Sequence, residues 1–329
     1  MSDALLNTRL TRDAGVALPI IGGAMFPCSN PELVAAVSES GGIGIVQPTS
    51  LTYVHRHEFR PGLHFIRKLT SKPIGMNVLL ESSSRVYRER MVAWLETALE
   101  EGVRFFVTSL GKPRWVVDRV AQVGGFVYHD VTERKWADKA LESGVHGLIA
   151  VNSRAGGHAG PKTPEQLIDE LAPLGLPLVC AGGIGTANEF VHALRLGYDG
   201  VQLGTRFIAT TECTASQTYK DAIVRAKESD IVLSERVTGV PLAVINTDYV
   251  RRVGTSAGPL ARRMLRGRRT KHWMRMFYAV RSAMLLRRAS LDPSTPQDYW
   301  QAGKSVRGID SIRSVADIMT EFADAGRAA

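Results

Sequence analysis

An alternation of short apolar segments with longer amphipathic segments runs from residue 19 to about residue 207 and constrains the fold most strongly. The apolar segments are typical of strands in a parallel sheet that is covered on both faces. The eight predicted strands cover 19–25, 42–47, 73–80, 103–109, 125–131, 147–152, 176–182 and 200–207. Eight strand–helix units in about 190 residues favour an α/β fold of the TIM (β/α)₈ barrel type over an open doubly wound sheet.

The segments between these strands carry apolar residues at the spacing of a helix with one buried face. The helices predicted in this way cover 31–40, 87–101, 114–123, 133–143, 164–171 and 187–196. The segment 52–63, which holds His55 and His57, is predicted to be a loop.

The alternation ends after residue 207, and a last helix is predicted over 309–325. We therefore divide the chain into two units. Residues 1–214 and 296–329 form the barrel, and residues 215–295 form an α-rich, basic subdomain on the substrate side. This subdomain is an insertion before the C-terminal helix.

Positive charge is concentrated in one stretch of this subdomain. The chain has a net charge of +9, and residues 251–288 hold 12 of its 41 Lys and Arg but no Asp or Glu. The remaining 29 basic residues face 32 acidic ones, so the rest of the chain is slightly acidic. Phosphates of CoA or of an acyl carrier are candidate partners for this stretch, and a solvated basic face over buried aromatics is the alternative. We predict no nucleic-acid partner.

The sequence also indicates where the protein acts. No run of 18 apolar residues predicts a membrane span, and the N-terminus does not resemble a secretory signal. The three cysteines, Cys28, Cys180 and Cys213, are widely spaced and odd in number. We therefore expect a cytoplasmic protein without disulfides. No metal site is predicted.

A histidine between glycines follows the sixth predicted strand, in the hexapeptide Ala-Gly-Gly-His-Ala-Gly at 155–160. Glycine lets the backbone approach a ligand closely, and histidine exchanges a proton near neutral pH. His158 is therefore a candidate acid–base residue, since catalytic residues of TIM barrels lie at the carboxyl ends of strands. A tight turn with a solvated His158 is the alternative.

Small or polar residues end the first and third strands. Gly23, Ala24 and Met25 leave space for a flat ligand over the barrel mouth. Asn77 offers amide donors and an acceptor that suit the edge of a heterocycle. Core packing of the first group and a structural role for Asn77 are the alternatives.

Glycine-rich loops follow the seventh and eighth strands, at Gly182-Gly183 and Gly204-Thr205. Such loops expose main-chain N–H groups to an anion, and TIM barrels often bind phosphate at these two positions. The sequence therefore predicts a phosphate-bearing ligand. It does not predict the dinucleotide fingerprint, because Asn188 stands where the third glycine would be.

The fifth strand ends in His129-Asp130. Because this strand neighbours the sixth, either side chain is a second acid–base candidate near His158. A buried, hydrogen-bonded pair without a role in chemistry is the alternative.

Several of these motifs together resemble the nitronate monooxygenase (2-nitropropane dioxygenase) family, which includes flavin-dependent enoyl-acyl-carrier-protein reductases. The matching stretches are 19–25, 41–44, 72–77, 155–160, 181–184 and 200–207. The segment Trp300-Gln301-Ala302-Gly303-Lys304 is similar to the family's returning segment. The resemblance covers nearly the whole chain.

The resemblance implies FMN bound over a barrel mouth, with His158 as the catalytic histidine beside the flavin. Ala24, Met25 and Asn77 would border the isoalloxazine ring, and the loops after the seventh and eighth strands would hold the phosphate. The cofactor-binding residues implied in this way are Gly23, Ala24, Met25, Asn77, Gly157, Ala181, Gly182, Gly183, Gly204, Thr205 and Gly303. NAD(P)H is an alternative reductant for the flavin.

Three activities follow from the resemblance. The first is oxidation of alkyl nitronates with O₂, with His158 assisting proton transfer. The second is NAD(P)H-dependent reduction of an enoyl-CoA or acyl-carrier thioester, which the insertion favours. The third is flavin binding without turnover. We expect a small-molecule substrate and consider a homodimer. Some members carry a lysine where this chain has Asp130, which changes the charge next to the flavin.

Overall fold

A closed barrel of eight parallel strands forms the centre of the computed structural model, which describes residues 4–80, 84–256, 271–292, 294 and 297–329. The strands are β1 (Ile20–Gly22), β2 (Ile43–Val46), β3 (Ile74–Leu79), β4 (Phe105–Ser109), β5 (Phe126–Val131), β6 (Gly147–Val151), β7 (Leu178–Ala181) and β8 (Gly200–Leu203). They pair in chain order, and β8 closes the ring against β1. The predicted TIM barrel and its eight strands are confirmed.

The barrel interior is a separate apolar cluster that includes Ile45, Phe105, Tyr128 and Ile149. A short helix, α1 (Arg9–Ala14), contributes Leu10 and Ala14 to the same cluster. The amino-terminal end of the barrel is therefore covered, and the mouth lies at the carboxyl ends of the strands.

Helices pack around the barrel and shield the outer faces of its strands. They are α2 (Pro31–Glu39), α3 (Phe59–Leu69), α4 (Arg85–Glu100), α5 (Arg114–Ala121), α6 (Arg134–Glu142), α7 (Pro164–Leu171), α8 (Ala187–Arg195) and a single turn, α9 (Thr205–Ile208). The six helices predicted between strands are all present.

The prediction of a loop over 52–63 is wrong. A π-helical turn occupies Ser50–Val54, and α3 begins at Phe59. Pro61 lies in the first turn of α3, where the missing N–H would be unpaired in any case. A side chain at Gly62 would place its Cβ 2.8 Å from Leu51. These two residues, which usually interrupt helices, are compatible with α3 because of their positions.

The insertion contains helices and a small sheet. α10 (Gln217–Arg225) is followed by the antiparallel pair β9 (Ile231–Ser234) and β10 (Leu242–Ile245), and then by α11 (Asp248–Val253) and α12 (Lys271–Leu291). A third of the basic stretch, 257–270, lies outside the described residues. The boundaries proposed for the subdomain remain predictions.

The chain returns to the barrel through residues 297–304. Trp300 stacks on Tyr219 of α10, with ring centroids 5.7 Å apart, and its indole N–H donates to Ala289 O at 2.7 Å. The last helix, α13 (Val315–Ala328), begins six residues later than predicted because Lys304–Gly308 forms a 3₁₀ turn and Ser314 caps α13. Within the described part of the chain, no helix is long and apolar enough to span a membrane.

Candidate active site

Polar or small side chains face inward at the carboxyl end of the barrel and include Asn77, Asp130, Ala181 and Gln202. Their orientation follows from strand alternation, because the flanking residues of each, such as Met76 and Val78 around Asn77, pack outward against the helices. Asn77 is buried, and its amide has no hydrogen-bond partner among the described residues. The mouth is therefore the polar end of an otherwise apolar barrel.

His158 lies on the loop after β6, and β10 holds this loop in place. Ala243 N donates to Gly157 O at 2.7 Å, and Gly157 takes a φ of +72°, which glycine adopts without strain. The imidazole is exposed at the mouth. Desolvation by the surrounding atoms nevertheless lowers its pKa below the ordinary value, so His158 is neutral at pH 7.

Thr238, on the loop between β9 and β10, fixes the tautomer of that imidazole. Thr238 Oγ1 donates its proton to Val240 O at 2.8 Å. The same oxygen lies 3.3 Å from His158 Nε2. Because the hydroxyl proton is already used, Nε2–H is the donor of this contact, and Nδ1 of His158 is left as the basic nitrogen.

The loops after β7 and β8 present unused main-chain donors. The N–H groups of Gly183, Ile184 and Gly204 donate no hydrogen bond to any residue in the described ranges. The two loops are neighbours because Ala181 pairs with Gln202 in the sheet. Two adjacent loops with free N–H groups match the donor set of a phosphate-binding site.

Close backbone packing holds the glycine loop after β7. A Cβ at Gly182 would lie 2.5 Å from Ala155 N, and the φ of Gly182 is +115°. The buried amide of Asn152 spans this contact, donating to Gly182 O at 2.9 Å and accepting from Arg154 N at 2.8 Å. The loop that carries His158 and the glycine loop after β7 are thereby held together.

The returning segment closes the same side of the mouth. Gly303 N donates to Thr205 Oγ1 at 3.0 Å, and a Cβ at Gly303 would lie 2.6 Å from Gly156 N. Glycine at both positions lets the two backbones touch. Lys304 N donates to Arg154 O at 2.8 Å, so residues 154–157 and 302–304 form one unit.

The loop after β1 reaches the phosphate loop from the other side. A Cβ at Gly23 would lie 3.1 Å from Gln202 Cγ, and one at Gly204 would lie 3.5 Å from Met25 Sδ. Ala24 packs against the barrel-interior cluster. The residues predicted to bind the cofactor, from Gly23 to Gly303, therefore lie at one end of the barrel.

Two buried polar atoms at the mouth lack partners: Asp130 Oδ1 and Gln202 Oε1 make no hydrogen bond within the described residues. Unpaired buried polar atoms are costly in a folded protein. Together with the free N–H groups of the β7 and β8 loops, they fit a ligand that has a polar ring over the barrel and a phosphate at its edge. FMN has these two parts.

His129 faces away from the mouth, although it precedes Asp130 directly. Its Nδ1 lies 2.8 Å from Thr108 Oγ1 on β4, and burial lowers the pKa of the imidazole to about 4. The idea that His129 works beside His158 is therefore wrong, since adjacent residues of a strand point to opposite faces. Asp130 is the member of the pair that faces the mouth.

A cavity of about 420 Å³ lies behind the phosphate loop, outside the barrel between α7 and α8. Its cationic side chains already have partners. Arg154 pairs with Glu228 at 2.8 Å, and Arg307 pairs with Glu189 at 3.2 Å. We assign no ligand to this cavity.

Sequence reasoning missed Thr238, Asn152 and Gln202. Gln202 could have been found from strand alternation, because its neighbours Val201 and Leu203 are apolar. Thr238 gave no signal, since it lies 80 residues from His158 in the sequence. In the sequence, Asn152 is only a polar residue at the end of a predicted strand. Its role in joining two loops depends on its contacts with Gly182 and Arg154.

A TIM barrel with a phosphate-type glycine cradle after β7 and β8 and a histidine over its mouth defines the class of cofactor-dependent barrel enzymes. The model of the nitronate monooxygenase family matches residues 7–324. The chain belongs to this family, whose members are oxidoreductases of the FMN flavoprotein type.

Curated relatives differ in the activity that their names state. The chain is 30% identical over 246 residues to (3aS,4S,5R,7aS)-5-hydroxy-7a-methyl-1-oxo-octahydro-1H-indene-4-carboxyl-CoA dehydrogenase of Rhodococcus jostii (strain RHA1), covering 74% of this chain and 67% of the relative. It is 28% identical over 290 residues to a probable nitronate monooxygenase of Staphylococcus saprophyticus, covering 75% and 81%.

Solved structures share the fold over almost the full length. FabK from Thermotoga maritima superposes with a TM-score of 0.79 at 27% identity, covering 98% of this chain and 96% of that one. A nitroalkane oxidase from Streptomyces ansochromogenes has a TM-score of 0.73 at 23% identity, covering 97% and 99%. The second likeness concerns the fold alone.

Proposed function

We propose that this protein is an FMN-dependent oxidoreductase that oxidises alkyl nitronates with O₂, with His158 assisting proton transfer. The observation that carries the proposal is a neutral histidine over the mouth, held through its Nε2–H by Thr238, beside two loops with unused N–H groups. Such an imidazole can accept a proton at Nδ1 near neutral pH.

The site residues divide into two tasks. The loops at Gly182-Gly183 and Gly204-Thr205 would hold the phosphate of FMN, and Asn77 and Gln202 would meet the polar edge of its ring. FMN would supply electron transfer between the substrate and O₂. When the substrate binds as the neutral nitroalkane, His158 Nδ1 would take the proton on the carbon next to nitrogen, which leaves the nitronate, and would then release that proton to solvent.

A second candidate is reduction of an enoyl-CoA or acyl-carrier thioester with NAD(P)H. The specific observation in its favour is that β10, part of the basic insertion, pairs with both the histidine loop and Gln301 of the returning segment. Arg287 and Arg288, at the end of α12, are exposed and carry charge that suits phosphate groups. The CoA-type relative gives this candidate further support.

One experiment separates the candidates. The purified protein is loaded with FMN, its flavin is quantified, and NAD(P)H is added without oxygen. Oxygen uptake with an alkyl nitronate, without flavin bleaching by NAD(P)H, supports nitronate oxidation. Prompt bleaching followed by reoxidation with an enoyl-CoA supports the thioester reductase. Retained FMN with neither response would mean flavin binding without turnover.

A charge-reversal variant tests the insertion. In Arg287→Glu/Arg288→Glu, the KM for an enoyl-CoA should rise, while the KM for the same acyl group on N-acetylcysteamine, which lacks phosphates, should not change. Equal effects on both thioesters would contradict a phosphate site there. Arg85→Glu/Arg114→Glu, on the exposed faces of α4 and α5, is the matched control for net charge.

A further inference from the structure

Asp130 is a carboxyl group inside the barrel mouth, and neither of the two proposed reactions uses it. It lies on β5, two residues after Tyr128, and pairs with Ile149 of β6 in the sheet register. Tyr128 and Ile149 both belong to the barrel-interior cluster, so Asp130 points to the same interior at a level nearer the mouth. Its Oδ1 is buried and has no hydrogen-bond partner among the described residues.

The groups around Asp130 do not balance its charge. Burial raises the pKa of Asp130 to about 7, and among the described residues no cation offsets that effect. Polar groups on the interior face near this level include the neutral amides of Asn77 on β3 and Gln202 on β8 and the hydroxyl of Ser109, which lies beside Asp130 on β4. The adjacent imidazole of His129 faces outward to Thr108, and His158, on the loop after β6, is a second titratable group at the mouth.

We infer that Asp130 binds a proton when the FMN above it is reduced, so that reduction of the cofactor is coupled to protonation of a protein carboxylate. The inference rests on the FMN site of the proposed function but not on which substrate is used. Asp130 would therefore act differently from the lysine that some family members carry at this position, because a lysine keeps its positive charge.

The step balances in electrons and protons. At pH 8, a reductant such as NAD(P)H or dithionite would supply two electrons to bound FMN, and the reduced ring would hold one added proton and one negative charge. A second proton from solvent forms an O–H bond on the Asp130 carboxylate. A nearby negative charge favours the neutral form of a buried acid, so the added electrons hold this second proton on Asp130.

The pH range of this proton uptake follows from the pKa of Asp130, which burial raises to about 7. Above pH 7, Asp130 is mainly ionised next to oxidised FMN and becomes protonated upon reduction. Below about pH 6, Asp130 is protonated in both states. The extra proton should therefore be taken up at pH 8 and not at pH 5.5.

The test counts protons bound per two electrons, from the pH dependence of the midpoint potential of protein-bound FMN. The wild-type protein should bind one proton more at pH 8 than Asp130→Asn does, and the two should agree at pH 5.5. Asp13→Asn is the matched control, because Asp13 is a half-buried carboxylate with a raised pKa at the other end of the barrel. It should behave like the wild type.

A further variant assigns the proton to the right residue. His158→Ala should keep the extra proton at pH 8, since the inferred acceptor is Asp130. Loss of that proton in His158→Ala, or its presence in Asp130→Asn, would overturn the inference. If Asp130→Asn fails to hold FMN, Asp130→Ser, which also removes the carboxyl group, takes its place, and a proton count at pH 8 equal to that of the wild type would contradict the inference.

The outcomes also separate this inference from the proposed function. If the protein holds FMN and the wild type and Asp130→Asn bind equal numbers of protons at pH 8, only the role of Asp130 is contradicted. A protein that does not hold FMN under any condition contradicts both. Absence of nitronate turnover with the extra proton present would leave the role of Asp130 supported and count against nitronate oxidation.

Discussion

His158 Nε2 and Thr238 Oγ1 lie 3.3 Å apart, although 80 residues separate them in the chain. The contact joins the barrel to its insertion at the point where we expect chemistry. Because Thr238 uses its proton on Val240 O, it holds His158 as the Nε2–H tautomer. Thr238 is a positioning residue in this account, since it acts through the imidazole.

Thr238→Val should lower turnover about fivefold, the size expected for the loss of one hydrogen bond of about 1 kcal/mol. Flavin content should not change, because the hydroxyl of Thr238 contacts His158 and Val240 and not a residue that we assign to FMN. Steady-state oxygen uptake over pH 6 to 9 measures the effect and should show a shifted acid limb. Thr238→Ser keeps the hydroxyl and should restore the rate and the pH profile. Equal losses in Val and Ser variants would indicate a packing effect instead.

Gly204→Val should weaken FMN retention, whereas Gly182→Ala should lower the stability of the apoprotein. A Cβ at Gly204 meets no protein atom closer than 3.5 Å, so the apoprotein should keep its melting temperature while crowding of the phosphate loop weakens FMN retention. A Cβ at Gly182 would lie 2.5 Å from Ala155 N in a left-handed conformation, so the apoprotein itself should lose stability, by roughly 1–3 kcal/mol. Flavin content and thermal melting of both apoproteins distinguish the cases. A Gly204→Val protein with a full complement of FMN would contradict the phosphate assignment.

His129 should make the fold sensitive to acid. Burial lowers the pKa of His129 to about 4 in the folded protein, whereas an unfolded histidine has a pKa of about 6.5. The contribution of neutral His129 is therefore complete above pH 6.5 and is lost as the pH falls towards 4, at a cost on the order of 3 kcal/mol.

His129→Gln tests this directly by urea unfolding at pH 7 and pH 4.5. The free energy of unfolding should fall less between these two values in the variant than in the wild type. His192→Gln, which changes an exposed histidine on α8, provides a comparison. Identical pH dependence in wild type and His129→Gln would show that His129 does not titrate as inferred.

The sequence was sufficient to predict the barrel because the physical signals repeat. Each strand is an apolar run that must be buried on both faces, and each helix between strands carries one apolar stripe. Helix α3 was missed because Pro61 and Gly62 are signals for a loop. Pro61 is harmless in a first turn, and Gly62 makes room for Leu51, but only the packed structure shows either fact.

The site was predictable where it depends on local sequence and not where it depends on long-range contacts. The loops that carry His158, Gly182 and Gly204 follow strands, so their common location follows from a parallel barrel. His129 and Asp130 lie on opposite faces of β5 because side chains alternate along a strand. The prediction that treated both residues as acid–base candidates did not take this alternation into account. Thr238 belongs to the insertion, whose fold has no repeating pattern that would place it over His158.

The most direct test of His158 as the acid–base residue compares nitronate-dependent oxygen uptake of FMN-loaded His158→Ala with that of the wild type. His64→Ala is the matched control, because His64 lies on the outer face of α3 with its Nε2 2.8 Å from Glu101. We expect His158→Ala to keep stoichiometric FMN and lose turnover by about 10²–10⁴-fold, as for an acid–base residue, while His64→Ala keeps the wild-type rate. An unchanged rate in flavin-loaded His158→Ala would contradict the account.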